Sequence, residues 1–205
     1  MEESANQKIS YEERREAKQK ERLARESREK QKKLVVRIAL CVVVAIVIVG
    51  IGFWVASQGP KGEDYSKAFP IQGRDHIEVG STHPAYNSNP PSSGWHYADP
   101  AREGFYEAPL ADEQVVHNLE HGDIWIAYHP RVSAQIKKRL RSFAGGKVIA
   151  TLREANGFDI SLVAWGRVDN FNLDQGMLNE ERVSDFIKRY IDKGPEKVPA
   201  ASMAR

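Results

Sequence analysis

The residue types with the clearest capacity for chemistry are six histidines, which all follow residue 75 of this 205-residue chain. The densest group is the stretch VVHNLEHG, residues 115–122. If this stretch is helical, His117 and His121 lie four residues apart on one face, with Cβ atoms about 5–6 Å from each other. Two imidazoles at that separation can bind one metal ion, and Glu120 faces the same side of the helix.

A pair of imidazoles leaves a metal ion short of ligands, so further ligands must come from distant parts of the sequence. His96 ends the Pro-rich stretch PPSSGWH, and His76 lies just before that stretch, in GRDH. The only cysteine, Cys41, lies in an apolar segment, and imidazole-rich sites without sulfur favour zinc or copper(II) over copper(I). The sequence therefore predicts a zinc or copper site with five candidate ligands: His117, His121, His96, His76 and Glu120.

Other interpretations of these residues stay open. One is a pair of partly buried imidazoles hydrogen-bonded to backbone carbonyls, and another is a pair that responds to pH, because histidine titrates near neutrality. A third follows from the spacing H-x-x-E-H, the inverted zincin pattern, in which Glu120 would activate a zinc-bound water. A peptidase of that kind needs a further carboxylate ligand and a large substrate chamber, for which residues 57–205 leave little room. We therefore predict no catalytic residues and favour binding over catalysis.

The histidines follow a segment that is able to cross a membrane. Ile38 to Ala56 reads IALCVVVAIVIVGIGFWVA, nineteen residues without a charge. As a helix rising about 1.5 Å per residue, this segment covers roughly the 30 Å hydrocarbon core. Because basic residues crowd its near end, the positive-inside rule predicts a single-pass protein of the cell membrane with a cytoplasmic amino terminus and an extracytoplasmic carboxyl-terminal domain. These basic residues are Arg28, Lys30, Lys32, Lys33 and Arg37.

Charge and composition divide the chain further. Residues 1–33 hold eleven basic and eight acidic residues and form a charged helical arm with net charge +3, whereas residues 57–205 carry −2. The larger part thus lacks the positive charge with which proteins bind nucleic acid. A lone cysteine also excludes an intrachain disulfide. We predict an arm at 1–33, a transmembrane helix at 34–56, a linker at 57–66, an extracytoplasmic domain at 67–196 and a tail at 197–205.

Patterns within the predicted domain indicate an α+β fold, a small sheet with packed helices. Asp123–Tyr128 alternates like a strand, and apolar residues from Val132 to Phe143 recur at helical spacing. Lys147–Leu152 and Phe158–Gly166 read as strands of one hairpin, joined through Asn156-Gly157. A last amphipathic helix follows an Asn179 cap. The order from Glu113 onwards resembles the end of a thioredoxin-like topology.

Several spaced motifs resemble those of the domain-of-unknown-function family 3105. In chain order they are NPPSSGWH, Gly104-Phe105-Tyr106, VHNLEHGDIWIAY, AWGR at residues 164–167 and Gly194-Pro195-Glu196. The resemblance extends over residues 69–196 and implies a bacterial protein whose domain follows a single membrane helix, without implying an activity. His76, His96, His117, Glu120 and His121 fall on motif positions of the family, whereas His83 and His129 do not.

Two functions from different classes follow from these patterns. The first is an extracytoplasmic metal-binding module in which the Pro-rich loop closes over the histidines, with Trp95 and Tyr97 mostly buried beside His96. The alternative is an accessory or structural subunit of a membrane complex, docked on a membrane-protein partner, with the histidines merely packed. The first requires that His76 and His96 lie close to His117 and His121.

Overall fold

A computed structural model describes residues 2–57 and 59–197 of the chain. The chain divides into two compact units, Met1–Gln58 and Gly59–Arg205. Within the second unit, the part of the predicted linker from Gly59 onwards contains neither helix nor strand. It contacts the last helix of the same unit through Asp185 of that helix. The Asp185 carboxylate accepts hydrogen bonds from the backbone N–H groups of Lys61 and Gly62. The predicted tail lies, apart from Lys197, outside the described residues.

The first unit contains a single helix, α1 (Glu2–Ser57). Among the described residues, α1 is the one helix long and apolar enough to cross a membrane, judged by length and composition. The helix is continuous, so the division into an arm and a membrane segment rests on composition alone. The apolar residues from Leu34 to Trp54 are exposed within the unit, as a helix that faces lipid requires.

The second unit is a mixed α+β domain, as the sequence predicts. Its strands are β1 (Lys67–Ala68), β2 (His76–Ile77), β3 (His96–Tyr97), β4 (Gly104–Tyr106), β5 (Ile124–Tyr128), β6 (Val148–Leu152), β7 (Ile160–Ala164) and β8 (Arg167–Phe171). The main sheet has six strands in the order β1-β8-β7-β5-β6-β4, and a separate pair joins β2 and β3. The helices are α2 (Asp112–Glu120), α3 (Ala134–Arg141) and α4 (Glu180–Tyr190). The thioredoxin-like order stays a prediction.

The predicted hairpin between β6 and β7 is wrong. Both strands pair with β5, which lies between them, β6 in parallel and β7 in antiparallel orientation. Asn156 ends a turn that begins at Arg153 and does not form the centre of a hairpin turn; its side chain is buried, donates to the carbonyl of Ala127 and accepts from Arg153. The actual hairpin joins β7 to β8 through Gly166, whose φ of 68° suits a turn residue without a side chain. Sequence reading missed β8.

Strand β5 lies at the centre of the domain and is buried on both faces. One core cluster contains Ile124, Ile126 and Tyr128 together with apolar residues of α3 and α4. The other contains Trp125 and Ala127 together with apolar residues of α2. Side chains that alternate along β5 therefore contact α3 and α4 on one face of the sheet and α2 on the other.

Helices α3 and α4 are placed as the sequence patterns predict. Ile136 and Leu140 of α3 are buried in the core, and so are Val183 and Phe186 of α4. The Asn179 side chain accepts a hydrogen bond from the backbone N–H of Arg182, so it caps α4. The strand predicted from Phe158 begins only at Ile160, and Phe158 itself is 41% exposed.

The Pro-rich region is a packed loop. Ser92 and Ser93 are fully buried, and the Ser92 carbonyl accepts a hydrogen bond from the backbone N–H of Gly166. Trp95 and Tyr97, which were expected to be mostly buried, are partly exposed. The hydroxyl of Tyr86 donates to the Trp95 carbonyl at 2.6 Å. The loop therefore holds β3, which carries His96, firmly against the rest of the domain.

Candidate metal centre

Helix α2 carries three of the five predicted ligands at its carboxyl-terminal end. The predicted helix over residues 115–121 is confirmed, with Glu120 as its last residue and His121 at the C-cap. The helix contacts both β3 and β5, so residues 115–120 are all buried. The aligned peptide dipoles give this end of a helix a partial negative charge, which favours a nearby cation.

The pairing of β2 with β3 brings the other two histidines together. The two strands are parallel, and His76 lies directly beside His96 in their register. The ring centroids of His76 and His96 are 4.8 Å apart, and those of His96 and His117 are 5.1 Å apart. The distance between the rings of His76 and His117 is 5.0 Å. The three imidazoles therefore form a compact triangle, named here the histidine triad.

The histidine triad has the spacing of a set of metal ligands. One ring nitrogen from each of His76, His96 and His117 lies within 4.8 Å of the other two. Ligand atoms of a tetrahedral zinc ion with bonds of about 2.0–2.1 Å are roughly 3.3 Å apart, so the triad needs a modest contraction. His76 is exposed, whereas His96 and His117 are buried. The arrangement thus fits a metal ion after small side-chain movements.

Backbone carbonyls fix the two buried rings of the triad. Nδ1 of His96 is 2.7 Å from the Gly94 carbonyl oxygen, and Nδ1 of His117 is 2.6 Å from that of Tyr97. A carbonyl oxygen can only accept, so both Nδ1 atoms carry the proton and donate it. In the neutral rings each Nε2 then holds a lone pair. This pattern, with one ring N–H donated to a carbonyl and the other nitrogen available, is typical of metal-binding histidines.

Glu120 lies beside the triad, and both of its oxygens have partners. Arg74 forms an ion pair with Oε1, and Nε2 of His96 is 3.0 Å from Oε2. Because Nδ1 of His96 already donates to Gly94, a cation must lie between the Nε2 lone pair and the carboxylate, and it is either a proton or a metal ion. Glu120 is 1% exposed, so an unpaired charge there would be costly.

His121 contacts the triad through one of its members. Its Nε2 is 3.1 Å from Nε2 of His117, and the two ring centroids are 4.5 Å apart. On its other side, the same Nε2 is 3.8 Å from Oε2 of Glu196. His121 does not share the common 4.8 Å spacing of the triad. It therefore lies next to the site, at the distance of a further ligand on an ion that His117 binds.

Burial keeps the two helix histidines neutral. The pKa of His117 and that of His121 are both lowered from the ordinary value, chiefly because burial disfavours the charged imidazolium. Neighbouring histidines lower the pKa of His117 further, whereas Glu196 and Glu120 partly oppose the effect at His121. Neutral imidazole is the form that binds a metal ion.

The two remaining histidines of the domain lie outside the site, as expected. His83 binds the Glu113 carboxylate at 3.1 Å, and this contact raises its pKa. Nδ1 of His129 accepts a hydrogen bond from the backbone N–H of Arg131. Both rings thus serve local contacts.

Sequence reading missed two charged residues of the site, Arg74 and Glu196. Arg74 lies two residues before His76, and a buried carboxylate such as Glu120 requires a cationic partner that reaches it. Glu196 ends the motif Gly194-Pro195-Glu196. Glu196 lies 75 residues after His121 in the sequence, so only the fold brings the two residues together.

The exposed member of the triad lies at the wall of an open groove. His76 and Tyr97 line this cavity, which has a volume of about 750 Å³. Glu78 and Asp99 are its charged lining residues, and Val79 at its edge is 82% exposed. A small molecule or ion in solvent therefore has a route to the triad from the His76 side.

Comparison with known proteins gives one match. The profile of the family described as Protein of unknown function (DUF3105) matches residues 77–203, which is more than half of the chain. The match includes His96, His117, Glu120, His121 and Glu196, and it begins one residue after His76. No curated protein and no solved structure matches this chain. The chain belongs to the DUF3105 family.

Proposed function

We propose that this DUF3105 protein is a membrane-tethered module whose extracytoplasmic domain binds one divalent metal ion, zinc or copper(II). The ligands are His76, His96 and His117, with His121 as a further ligand and Glu120 beside them. The amino-terminal arm is cytoplasmic, and α1 crosses the membrane once. The role of the domain is binding, and no residue acts as a catalyst.

One observation carries the proposal. His96 and His117 are buried, both donate their Nδ1 protons to backbone carbonyls, and His76 brings a third imidazole within reach. Packed histidines satisfy their nitrogens with separate partners. Here Nε2 of His96 faces the Glu120 carboxylate, and its lone pair and that anion repel each other unless a cation lies between them. Nε2 of His117 lies 3.1 Å from Nε2 of His121, which donates to it when His121 carries its proton there, and a bound metal ion replaces that proton.

The donor set agrees with zinc or copper(II). It consists of imidazole nitrogens with the Glu120 carboxylate beside them, and it contains no thiolate, since Cys41 belongs to the other unit. Imidazole suits zinc and copper, whereas copper(I) favours sulfur ligands. Three histidines with a fourth ligand from the same protein also match the four-coordinate geometry that zinc prefers. The nitrogen ligands therefore narrow the metal to these two ions.

The environment of Glu120 argues against the hydrolase interpretation. A general base must have a carboxylate oxygen available to take a proton from water. Oε1 of Glu120 is paired with Arg74, and Oε2 faces His96, so neither oxygen is available. Glu120 instead holds Arg74 and His96 in position, which suits a binding site.

The orientation in the membrane is supported by charge. Five basic residues between Arg28 and Arg37 precede the apolar part of α1. Such residues stay on the cytoplasmic side. The histidine site then faces the extracytoplasmic space, where its carboxylates and imidazoles meet metal ions from outside the cell.

Metal titration of the full chain in detergent micelles tests the proposal. We expect one zinc ion per chain, bound with at least micromolar affinity, and the same stoichiometry with copper(II). His96→Ala should weaken zinc binding at least 100-fold, since it removes a buried ligand, and the double variant His117→Ala/His121→Ala should abolish binding.

His129→Ala provides the matched control, because His129 lies outside the site and its ring nitrogen serves only a local turn. We expect its zinc affinity to equal that of the unaltered chain. A folded chain that takes up neither ion would overturn the metal proposal and favour the accessory-subunit alternative, in which the histidines are packed against a membrane-protein partner.

A further inference from the structure

The segment that follows α4 returns to the end of α2, beside the histidine site. The backbone N–H of Asp192 donates to the Gly122 carbonyl at 2.8 Å, and that of Glu196 donates to the Glu120 carbonyl at 3.1 Å. Carbonyl groups at the end of a helix lack partners within the helix, and this segment supplies one. Residues 192–196, named here the strap, are thus fixed by hydrogen bonds to the residues that flank His121.

Two glycines allow this close approach. A Cβ atom at Gly194 would overlap the Glu120 carbonyl oxygen, and one at Gly122 would lie 2.9 Å from the Cα atom of Asp192. Gly122 also has a φ of 85°, which favours glycine. Pro195 stiffens the chain between Gly194 and Glu196. The strap therefore determines where the Glu196 carboxylate lies, within 3.8 Å of Nε2 of His121.

The charges around the site leave Glu196 without a basic partner. Arg74 neutralises Glu120, the other carboxylate beside the triad. Among residues 59–197, no lysine or arginine forms an ion pair with Glu196, whose one charged contact is His121. The Glu196 side chain is 46% exposed and is able to reach inward without breaking another contact. A divalent cation held by neutral imidazoles attracts such an anion strongly, because the surroundings are poorly solvated.

We propose that Glu196 is the carboxylate ligand of the metal site and binds the same ion as His117 and His121. The inference rests on the metal-binding function proposed above and extends it to a residue of the strap. Glu196 supplies a negative oxygen ligand, whereas the triad supplies neutral nitrogens, and the mixed set favours zinc or copper(II). Glu196 reaches the site from the strap, although it lies 75 residues after His121 in the sequence.

Zinc titration of Glu196→Gln in the full chain tests this inference. Glutamine keeps the size of the side chain and removes its charge. We expect the zinc affinity to fall 10- to 100-fold, with the stoichiometry still one ion per chain, because the imidazole ligands remain. Glu154→Gln is the matched control, since Glu154 is also exposed and is remote in sequence from every proposed ligand; its affinity should not change.

A second measurement separates ligation from a structural role. The thermal unfolding midpoint of the metal-free Glu196→Gln chain should equal that of the unaltered chain, because the side chain makes no contact that glutamine cannot make. Cobalt(II) bound to the unaltered chain should show a visible spectrum that shifts in Glu196→Gln but not in Glu154→Gln.

The outcomes distinguish the two proposals. If the unaltered chain binds zinc and His96→Ala does not, while Glu196→Gln binds within twofold of the unaltered chain, the inference is overturned and the metal-binding function stands. An affinity loss matched by an equal loss of metal-free stability would also overturn it. A chain that binds no zinc would overturn both.

Discussion

Glu120 illustrates how single residues constrain the site. Its carboxylate is 1% exposed and lies between Arg74 and His96. The contact with His96 requires a shared proton in the metal-free chain, because a carboxylate and an Nε2 lone pair repel each other. Glutamine, in contrast, offers an N–H to that lone pair and an oxygen to Arg74. The two substitutions at this position should therefore differ in their effects.

We expect Glu120→Ala to lower the free energy of unfolding of the metal-free chain by about 2 kcal/mol, since it leaves buried polar groups without partners. Glu120→Gln should lower it by less than about 1 kcal/mol, because both contacts are preserved in uncharged form. Urea unfolding of the full chain in micelles, followed by tryptophan fluorescence, measures both. Equal losses for the two variants would show that the shared-proton contact is absent.

The pKa values of two histidines should be shifted in opposite directions in the metal-free chain. The pKa of His117 should lie below the ordinary 6.5 because of burial, and that of His83 should lie above it because of the Glu113 hydrogen bond. Because the folded pKa of His117 is lowered, the unfolded chain takes up this proton first, and the free energy of unfolding decreases as the pH falls from 6.5 through the folded pKa. His83 contributes stability below 6.5 and loses it as the pH rises through its raised folded pKa. NMR titration of the ring protons measures both values, and a His117 pKa above 6.5 would contradict this account.

At the scale of elements, local patterns predicted the helices and the strands β5, β6 and β7, but neither the five other strands nor the strand pairing. The apolar periodicity of α4 and its Asn179 cap were sufficient, because helix contacts are local. The Asn156-Gly157 pair predicted a hairpin that does not form, since the Asn156 side chain binds the Ala127 carbonyl across the sheet. Strand partners depend on such distant contacts, which sequence spacing does not reveal.

The candidate site shows the same contrast between local patterns, which were predictable, and contacts between distant residues, which were not. His117 and His121 were predictable as a pair because four residues separate them on one helix. His76 and His96 were proposed as ligands because a metal ion needs more than two imidazoles and because both fall on motif positions of the family. The β2–β3 register that brings them together had no sequence signal. Arg74 and Glu196 were missed because their roles depend on the fold.

The strap and α2 should be sensitive to added side chains. Gly122→Ala places a Cβ atom against Asp192 and forces a φ of 85° on a residue that disfavours it, so we expect a loss of about 2 kcal/mol or more in unfolding free energy. Gly157→Ala is the control, because no atom lies within 4 Å of its added Cβ, and it should change stability by less than about 0.5 kcal/mol. Urea unfolding compares them. An unchanged free energy of unfolding in Gly122→Ala would mean that the strap does not pack on α2.

At the scale of the whole molecule, the proposed orientation requires a membrane between the basic residues 28–37 and the domain that carries the histidines. Both Lys30 and Glu63 lie outside the apolar segment, on its two sides. In a Cys41→Ser background, a cysteine at either position reports which side of the membrane it occupies. The orientation follows from the basic residues alone and is independent of metal binding.

We expect a membrane-impermeant maleimide to label Glu63→Cys but not Lys30→Cys in intact cells whose outer barrier has been permeabilised. Both variants should be labelled after detergent lysis, which confirms that each thiol is reactive. Labelling of Lys30→Cys and protection of Glu63→Cys in intact cells would reverse the orientation and place the histidine site in the cytoplasm.

X-ray absorption at the zinc edge of the full chain, loaded with one equivalent of zinc, tests the central claim most directly. The account predicts at least three imidazole nitrogens at about 2.0–2.1 Å, together with the outer-shell scattering of imidazole rings. The imidazole scattering should be reduced in His96→Ala and retained in His129→Ala. A spectrum of oxygen ligands without imidazole scattering, unchanged by His96→Ala, would contradict the assignment of the histidine triad as a metal site.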